Sequence, residues 1–165
     1  TVAQILKLDS KKFLSTISNF IGLPHRLEKI IENEKFLVIN NSKATNLDSA
    51  IKSISNYTNI YLIIGGRAKN NKFDTLVNFK KNITKCYIIG ESSNIIYKQL
   101  NEFIDSKISI NLEKAVNEIF LDLRNSEVKA TILFSPGCSS FDQYKSFEER
   151  GDQFKELIVK KFNAK

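Results

Sequence analysis

Polar side chains that could bind an anion follow three predicted strands in this sequence. The three segments are residues 40–46, 65–69 and 135–141. Their cations are Lys43, Arg67 and Lys69. Their neutral hydrogen-bonding side chains are Asn41, Ser42, Thr45, Ser139 and Ser140. Because ligands of open α/β sheets bind beyond the carboxyl ends of the strands, these segments predict a site for a carboxylate or a phosphate.

The same residue types are also common in ordinary connecting loops. Ser, Thr and Asn are preferred in turns and at helix N-caps. Paired glycines, such as Gly65 and Gly66, are common wherever a turn needs backbone freedom. The spacing alone therefore leaves two interpretations open, a ligand site or plain loops.

The hydrophobic pattern predicts the scaffold that would position these segments. Continuous apolar runs predict buried strands at residues 60–64, 86–89, 108–110 and 131–134, and a β-hairpin over residues 27–39. Helical spacing predicts helices over residues 47–54, 74–79, 92–103, 111–124 and 141–162, with Gly151 as a candidate break in the last one. Strands and helices alternate from residue 36 onward. This order predicts an α/β fold, a Rossmann-like and mostly parallel sheet flanked by helices.

The first twenty residues predict a separate helical piece. Apolar residues recur there at helical spacing, and Asp9 is a candidate N-cap. Gly22 and Pro24 then break the pattern, as a hinge or linker does. We place a domain boundary between residues 1–21 and 22–165. Since the sequence contains no methionine, we expect it to be part of a longer protein.

Composition excludes several classes of site. The 25 basic and 18 acidic residues give a net charge of +7, which favours anionic partners without choosing among them. His25 is the single histidine, so a site built from several imidazoles is excluded. The sequence has no Walker-type phosphate loop, and no apolar run is long enough to span a bilayer. Two isolated cysteines fit a reducing cytoplasm.

Four motifs make the sequence similar to a known family. They are GLPHRLE at residues 22–28, INNSKATN at 39–46, GGRAK at 65–69 and SPGCSSFDQYKSFEERG at 135–151. In this order they resemble the C-terminal domain of the Mur ligase family, and the last motif resembles the members that add D-glutamate. Residues 1–21 resemble the final helices of the family's central ATPase domain.

The resemblance implies an ATP-dependent ligase of peptidoglycan-precursor synthesis in the cytoplasm. In such enzymes ATP phosphorylates the carboxylate of UDP-N-acetylmuramoyl-L-alanine, the amine of D-glutamate attacks the acyl phosphate, and Mg²⁺ shields the phosphates. The ATP loop and the acceptor site belong to other domains. We therefore expect this chain alone to be inactive, with no catalytic residue, metal or cofactor of its own. We expect a monomer without nucleic-acid or membrane partners.

The resemblance also implies two sets of binding residues. The D-glutamate set is Thr45, Lys69, Ser140, Phe141 and Phe147. The nucleotide set is Arg26, Asn41 and Lys43. The D-glutamate set contains the cation and the donors that a dicarboxylate needs. Asn41 stands where the family usually has an Asp that contacts ribose, and Arg67, Ala68 and Lys72 also depart from the family pattern.

Two other functions compete with this interpretation. Another amino-acid-adding ligase of the superfamily, including the folylpolyglutamate type, would share the fold, but residues 135–151 favour D-glutamate. A basic nucleic-acid-binding module would fit the net charge, but the basic residues are dispersed and no recognition motif occurs. His25 and Cys138 could do chemistry in principle, and we interpret both as structural because neither has a partner in the sequence that would activate it.

Overall fold

The computed structural model describes residues 2–20, 22–70, 72–124 and 126–163 of the chain. The strands in these ranges are β1 (Glu28–Glu32), β2 (Phe36–Asn40), β3 (Ile60–Gly65), β4 (Ile83–Ile89), β5 (Ser106–Ile110) and β6 (Ala130–Phe134). The α-helices are α1 (Val2–Ile5), α2 (Ser10–Ser18), α3 (Leu47–Ile54), α4 (Ser93–Leu100), α5 (Leu112–Asp122) and α6 (Phe147–Asn163). A 3-10 helix spans Phe73–Phe79.

The strands form one sheet in the order β1-β2-β6-β3-β4-β5. β1 and β2 are antiparallel, and every other neighbouring pair is parallel. The predicted α/β class and the predicted hairpin are therefore confirmed. Because β6 lies between β2 and β3, the carboxyl ends of these three strands meet at one edge of the sheet.

Helices cover both faces of the sheet. The helices α3 and α4, together with the 3-10 helix, pack on the face that buries Leu62 and Ile64. The helices α5 and α6 pack on the other face, which buries Ile63 and Phe134. Successive residues of β3 thus enter opposite cores, as the pleat of a strand requires. Strands covered on both faces need continuous apolar runs, which is why the sequence indicated them clearly.

The prediction of a helix over residues 141–162 is wrong at its N-terminal end, because α6 begins only at Phe147. The Ser146 hydroxyl accepts a hydrogen bond from the Glu149 N–H at 3.2 Å. The Glu149 carboxylate in turn accepts a hydrogen bond from the Lys145 N–H at 2.7 Å. This pair of bonds resembles a capping box and fixes where the helix starts. The helix then continues through Gly151, without the break that the sequence suggested.

Other differences concern the ends and types of elements. The helix predicted over residues 92–103 ends at Leu100, and the short helix predicted over 74–79 is a 3-10 helix. The strand predicted from residue 108 begins at Ser106. The N-cap of α5 is as predicted, since the Asn111 side chain accepts a hydrogen bond from the Lys114 N–H at 2.9 Å.

The N-terminal piece consists of the two helices α1 and α2. Asp9 caps α2 by accepting a hydrogen bond from the Lys12 N–H at 2.8 Å. No residue of α2 is buried, and the large apolar side chains Leu14, Ile17 and Phe20 are exposed. Residue 21, at the predicted domain boundary, lies outside the described residues, and the boundary stays a prediction. None of the helices in the described ranges is long and apolar enough to cross a membrane.

Candidate functional site

The three polar segments leave the sheet at the shared carboxyl edge of β2, β3 and β6. Backbone hydrogen bonds join them to one another. The Asn41 N–H donates to Phe134 O at 2.8 Å, and the Gly65 N–H donates to Pro136 O at 2.9 Å. The fold therefore brings together segments that lie up to about a hundred residues apart in the sequence, as expected for ligand-binding loops of a parallel sheet.

A cavity of about 360 Å³ opens between these segments, and we call it the Lys69 pocket. Its wall consists of Lys43, Thr45, Arg67, Ala68, Lys69, Ser139, Ser140, Phe141 and Phe147. All five residues of the predicted D-glutamate set are in this wall. The structure thus places them around a single cavity, on three separate loops and the first turn of α6.

Several polar groups of the Lys69 pocket are available to a ligand. Within the described ranges, no hydrogen bond of the side chains of Thr45, Lys69 or Ser140 is found. No fully buried side-chain nitrogen or oxygen in these ranges lacks a hydrogen-bond partner. The Ser140 hydroxyl is therefore accessible to a ligand from the open cavity, although Ser140 as a whole is only 2% exposed. An ammonium and two hydroxyls around a cavity with aromatic walls suit a small ligand with carboxylate groups.

A second cavity of about 310 Å³ adjoins the first, and we call it the Arg26 pocket. Its wall consists of Arg26, Leu27, Asn41, Lys43, Ala44, Ser49, Lys52, Ser53 and Asn56. It contains the whole predicted nucleotide set. The sequence did not lead us to Ser49, Lys52 and Ser53 of α3 or to Asn56 just after it, although their position after the 40–46 segment was a usable signal.

Lys43 belongs to the walls of both pockets. Its backbone N–H donates to His25 O at 3.1 Å, which fixes its position in the loop. Its Nζ lies 3.7 Å from the centroid of the Phe147 ring, a cation–π contact. One positive charge is therefore shared by the two cavities, and it lies against an aromatic wall of the Lys69 pocket.

Asn41 is buried, and its side chain already takes part in two hydrogen bonds. Its Nδ2 donates to Ser135 Oγ at 3.2 Å, and its Oδ1 accepts from the Leu27 N–H at 3.3 Å. An amide has a further N–H and a further lone pair, so Asn41 retains some capacity for a ligand hydroxyl. The wall of the Arg26 pocket has three cations, Arg26, Lys43 and Lys52, and no acidic side chain, so this pocket is positively charged.

Comparison with curated proteins gives long matches. The chain is 44% identical over 167 residues to a UDP-N-acetylmuramoylalanine--D-glutamate ligase from Prochlorococcus marinus (strain MIT 9312), covering 98% of this chain and 36% of that protein. It is 40% identical over 159 residues to a protein of the same name from Wolbachia sp. subsp. Brugia malayi (strain TRS), covering 96% and 32%. The chain belongs to the Mur ligase family. It corresponds to the C-terminal part of these relatives and spans about a third of their length.

Solved structures share the fold of this Mur ligase region. MurF from Acinetobacter baumannii superposes with a TM-score of 0.62 at 11% identity, over 93% of this chain and 35% of that one. Folylpolyglutamate synthase from Thermotoga maritima superposes with a TM-score of 0.50 at 17% identity, over 78% and 31%. No protein-family model matches the chain.

Arg150 is a buried cation of this Mur ligase chain that the sequence argument did not single out. Its guanidinium donates to Ser42 Oγ at 3.2 Å, to Ser42 O at 2.9 Å and to Cys138 O at 3.2 Å. Burial lowers the pKa of Arg150 to about 10, so it remains protonated at neutral pH. A signal was present, because Arg150 falls on the same helix face as the apolar residues Phe147, Phe154 and Ile158.

The structure buries the other two candidates, His25 and Cys138, outside the walls of both pockets. His25 is buried and is not in the wall of either pocket; its Nδ1 lies 3.0 Å from Asn40 Nδ2, and its Nε2 lies 3.7 Å from Asp152 Oδ1. Cys138 is fully buried, and that burial raises the pKa of its thiol to about 12. A thiol with so high a pKa is a poor nucleophile at neutral pH.

Proposed function

We propose that residues 22–165 are the C-terminal domain of an ATP-dependent ligase that adds D-glutamate to UDP-N-acetylmuramoyl-L-alanine. Residues 1–21 would end the preceding ATPase domain. The observation that carries this proposal is the sharing of Lys43 by two adjacent cavities. One cavity has the groups that suit a dicarboxylic amino acid, and the other has the cations that suit a nucleotide.

In the proposed reaction, a carboxylate oxygen of the acceptor attacks the γ-phosphorus of ATP, which releases ADP and forms an acyl phosphate. The D-glutamate amine then attacks the carbonyl carbon, a new C–N bond forms, the amine loses a proton, and phosphate leaves with its oxygen. Lys69, Thr45 and Ser140 would hold the carboxylates of D-glutamate. Phe147 and the backbone of Phe141 would complete the pocket and orient the D-glutamate amine toward the acyl phosphate.

The Arg26 pocket would take part of ATP. Arg26 and Lys43 would bind the phosphates, and Asn41 would bind a ribose hydroxyl. The chain has no Walker phosphate loop. We therefore propose that this loop and the acceptor site belong to other parts of a longer protein, and that this chain alone binds ligands without catalysing the reaction.

The described side chains do not by themselves form a site for a magnesium ion. In the described part of the chain, no group of three or more His, Cys, Asp or Glu side chains lies close enough to hold a metal ion. Magnesium therefore has no assigned ligand among these residues. In the complete ligase it would be bound by the nucleotide phosphates and by residues elsewhere.

Several observations favour D-glutamate over the other substrates of the superfamily. The curated relatives at 40% identity and above are named for D-glutamate. The MurF and folylpolyglutamate synthase structures, at 11% and 17% identity, share the fold alone. The dispersed basic residues do not support a nucleic-acid partner. We propose a monomeric cytoplasmic enzyme.

The test is an assay of the full-length protein for phosphate release from ATP. We expect release to require both UDP-N-acetylmuramoyl-L-alanine and D-glutamate, and other amino acids should compete weakly. Lys69→Gln should raise the KM for D-glutamate at least about tenfold, since a charge-assisted hydrogen bond is lost. Lys98→Gln is the matched control, because Lys98 is exposed on α4 and lies outside both pocket walls. Release that does not depend on D-glutamate would refute the proposal.

A further inference from the structure

Arg67 is a third cation in the wall of the Lys69 pocket, beside Lys43 and Lys69. Lys43 already lies over the Phe147 ring and is shared with the Arg26 pocket. A dicarboxylic amino acid brings two negative groups; Lys69 would neutralise one of them, and Lys43 would divide its charge between this ligand and the nucleotide. We propose that Arg67 binds the side-chain carboxylate of the amino-acid substrate and so selects a dicarboxylic amino acid over its side-chain amide. This inference rests on the proposed function and names a specificity-determining residue for it.

The backbone holds Arg67 in a fixed place against the opposite loop. Its N–H donates to Ser139 O at 3.0 Å, and the Ser139 N–H donates to Arg67 O at 2.9 Å, which makes an isolated antiparallel bridge. Because Arg67 pairs with Ser139, it lies next to the neighbouring residue Ser140 in the wall of the Lys69 pocket. Gly66 allows this approach, because its φ is +128° and a Cβ there would lie 2.5 Å from Ser139 O.

The side chain of Arg67 is oriented and still has donors to offer. Its Nε donates to Glu91 Oε2 at 2.9 Å. Within the described ranges no hydrogen bond of its two Nη atoms is found. A guanidinium presents its N–H groups as a planar fork that matches a carboxylate, so the Nη edge can bind a second carboxylate while Nε stays on Glu91.

Glu91, on the loop after β4, is itself hydrogen-bonded to a residue of the segment after β6. Its backbone N–H donates to Asp142 Oδ2 at 2.9 Å. Arg67, Glu91 and Asp142 therefore link the loops after β3, β4 and β6. This is the arrangement expected when a flexible side chain is preorganised for a ligand.

A purely structural ion pair is the competing explanation. The Arg67 and Glu91 side chains are 53% and 55% exposed, and exposed ion pairs contribute little to folding. Loss of Arg67 should therefore leave the fold intact. Any large effect on substrate selection would then come from a direct role in the pocket.

The experiment measures, in the full-length ligase, the KM for D-glutamate, the inhibition constant of D-glutamine and the KM for ATP. The variants are Arg67→Gln, Arg67→Lys and the control Lys98→Gln. We expect Arg67→Gln to raise the KM for D-glutamate about tenfold and to leave both other constants within about twofold, because only the charged ligand loses a charge-assisted bond. Arg67→Lys should fall between the wild type and Arg67→Gln, since a lysine keeps the charge without the fork.

Three results would overturn the inference. They are an unchanged KM for D-glutamate, an equal loss for D-glutamate and D-glutamine, and a rise in the KM for ATP alone, which would assign Arg67 to a phosphate. Lys69→Gln separates failure of the inference from failure of the proposed function. If Lys69→Gln raises the KM for D-glutamate and Arg67→Gln does not, only the inference fails. If neither changes it, the proposed site itself is wrong.

Discussion

Arg150 donates hydrogen bonds to both oxygens of Ser42, to Oγ at 3.2 Å and to the carbonyl oxygen at 2.9 Å. The same guanidinium donates to Cys138 O at 3.2 Å, on the loop after β6. One buried cation therefore joins α6 to the two loops that carry Thr45 and Ser140. The geometry of the Lys69 pocket depends on a residue that does not line it.

Replacing Arg150 should disturb both stability and the pocket. Arg150→Met leaves Ser42 and the Cys138 carbonyl without their donors, and we expect a loss of about 3 kcal/mol in the free energy of unfolding. Urea unfolding of the chain measures this change. Arg150→Lys keeps the charge but cannot reach all these acceptors, so an intermediate loss is expected. A wild-type unfolding curve for Arg150→Met would contradict the assigned role.

Gly151 is needed for packing in the middle of α6. A Cβ at this position would overlap the His25 ring. Gly151→Ala should therefore destabilise the chain by about 2 kcal/mol through overpacking, although alanine is favoured over glycine in a helix by about 1 kcal/mol.

A double-mutant cycle with His25→Gly checks this explanation. His25 has a φ of +62°, which glycine adopts readily, so His25→Gly removes the ring with little backbone strain. In that background Gly151→Ala should no longer destabilise the chain in thermal or urea unfolding. Equal costs of Gly151→Ala in both backgrounds would show that the His25 ring is not what requires glycine.

The sharing of Lys43 predicts a pattern among three charge-removing variants. Lys43→Gln should raise the KM for both ATP and D-glutamate by about tenfold each, since one cation serves both cavities. Arg26→Gln should affect ATP alone, and Lys69→Gln should affect D-glutamate alone. Steady-state kinetics of the full-length protein tests all three. If Lys43→Gln changed the KM for only one substrate, Lys43 would not serve both pockets.

The two cysteines predict a simple pH dependence of thiol labelling. Burial raises the pKa of Cys86 and of Cys138 to about 12. The thiolate is the reactive form, so the native chain should label slowly at pH 8, and its rate should keep rising well above the usual thiol pKa. Both thiols should label rapidly in urea. Rapid labelling of native Cys138 at pH 8 would place a reactive thiolate beside the Lys69 pocket.

The sequence predicted the architecture and the grouping of the site for identifiable reasons. Strands such as β3 are buried on both faces and must be continuously apolar, so their position is visible in the sequence. The topology then requires that the segments after β2, β3 and β6 meet at one edge. The resemblance implied two sets of binding residues, but the position of Lys43 in the walls of both pockets was not predictable, because it depends on side-chain directions across the loops.

The missed features depend on contacts between distant residues. The start of α6 is set by hydrogen bonds of Ser146 and Glu149, which compete with a helical pattern that extends further toward the N-terminus. Arginine is a residue type that is usually exposed, but Arg150 occupies a helix position that faces the core. The Ser42 and Cys138 oxygens accept the hydrogen bonds that allow it to be buried, and their placement could not be predicted from the sequence.

The most direct test of the D-glutamate site is an amide NMR titration of this chain with D-glutamate and, as control, L-glutamate. We expect shifts that are larger for the D enantiomer and that cluster at Thr45, Lys69, Ser140 and Phe147. An equal response to both enantiomers, or shifts confined to residues outside the Lys69 pocket, would contradict it.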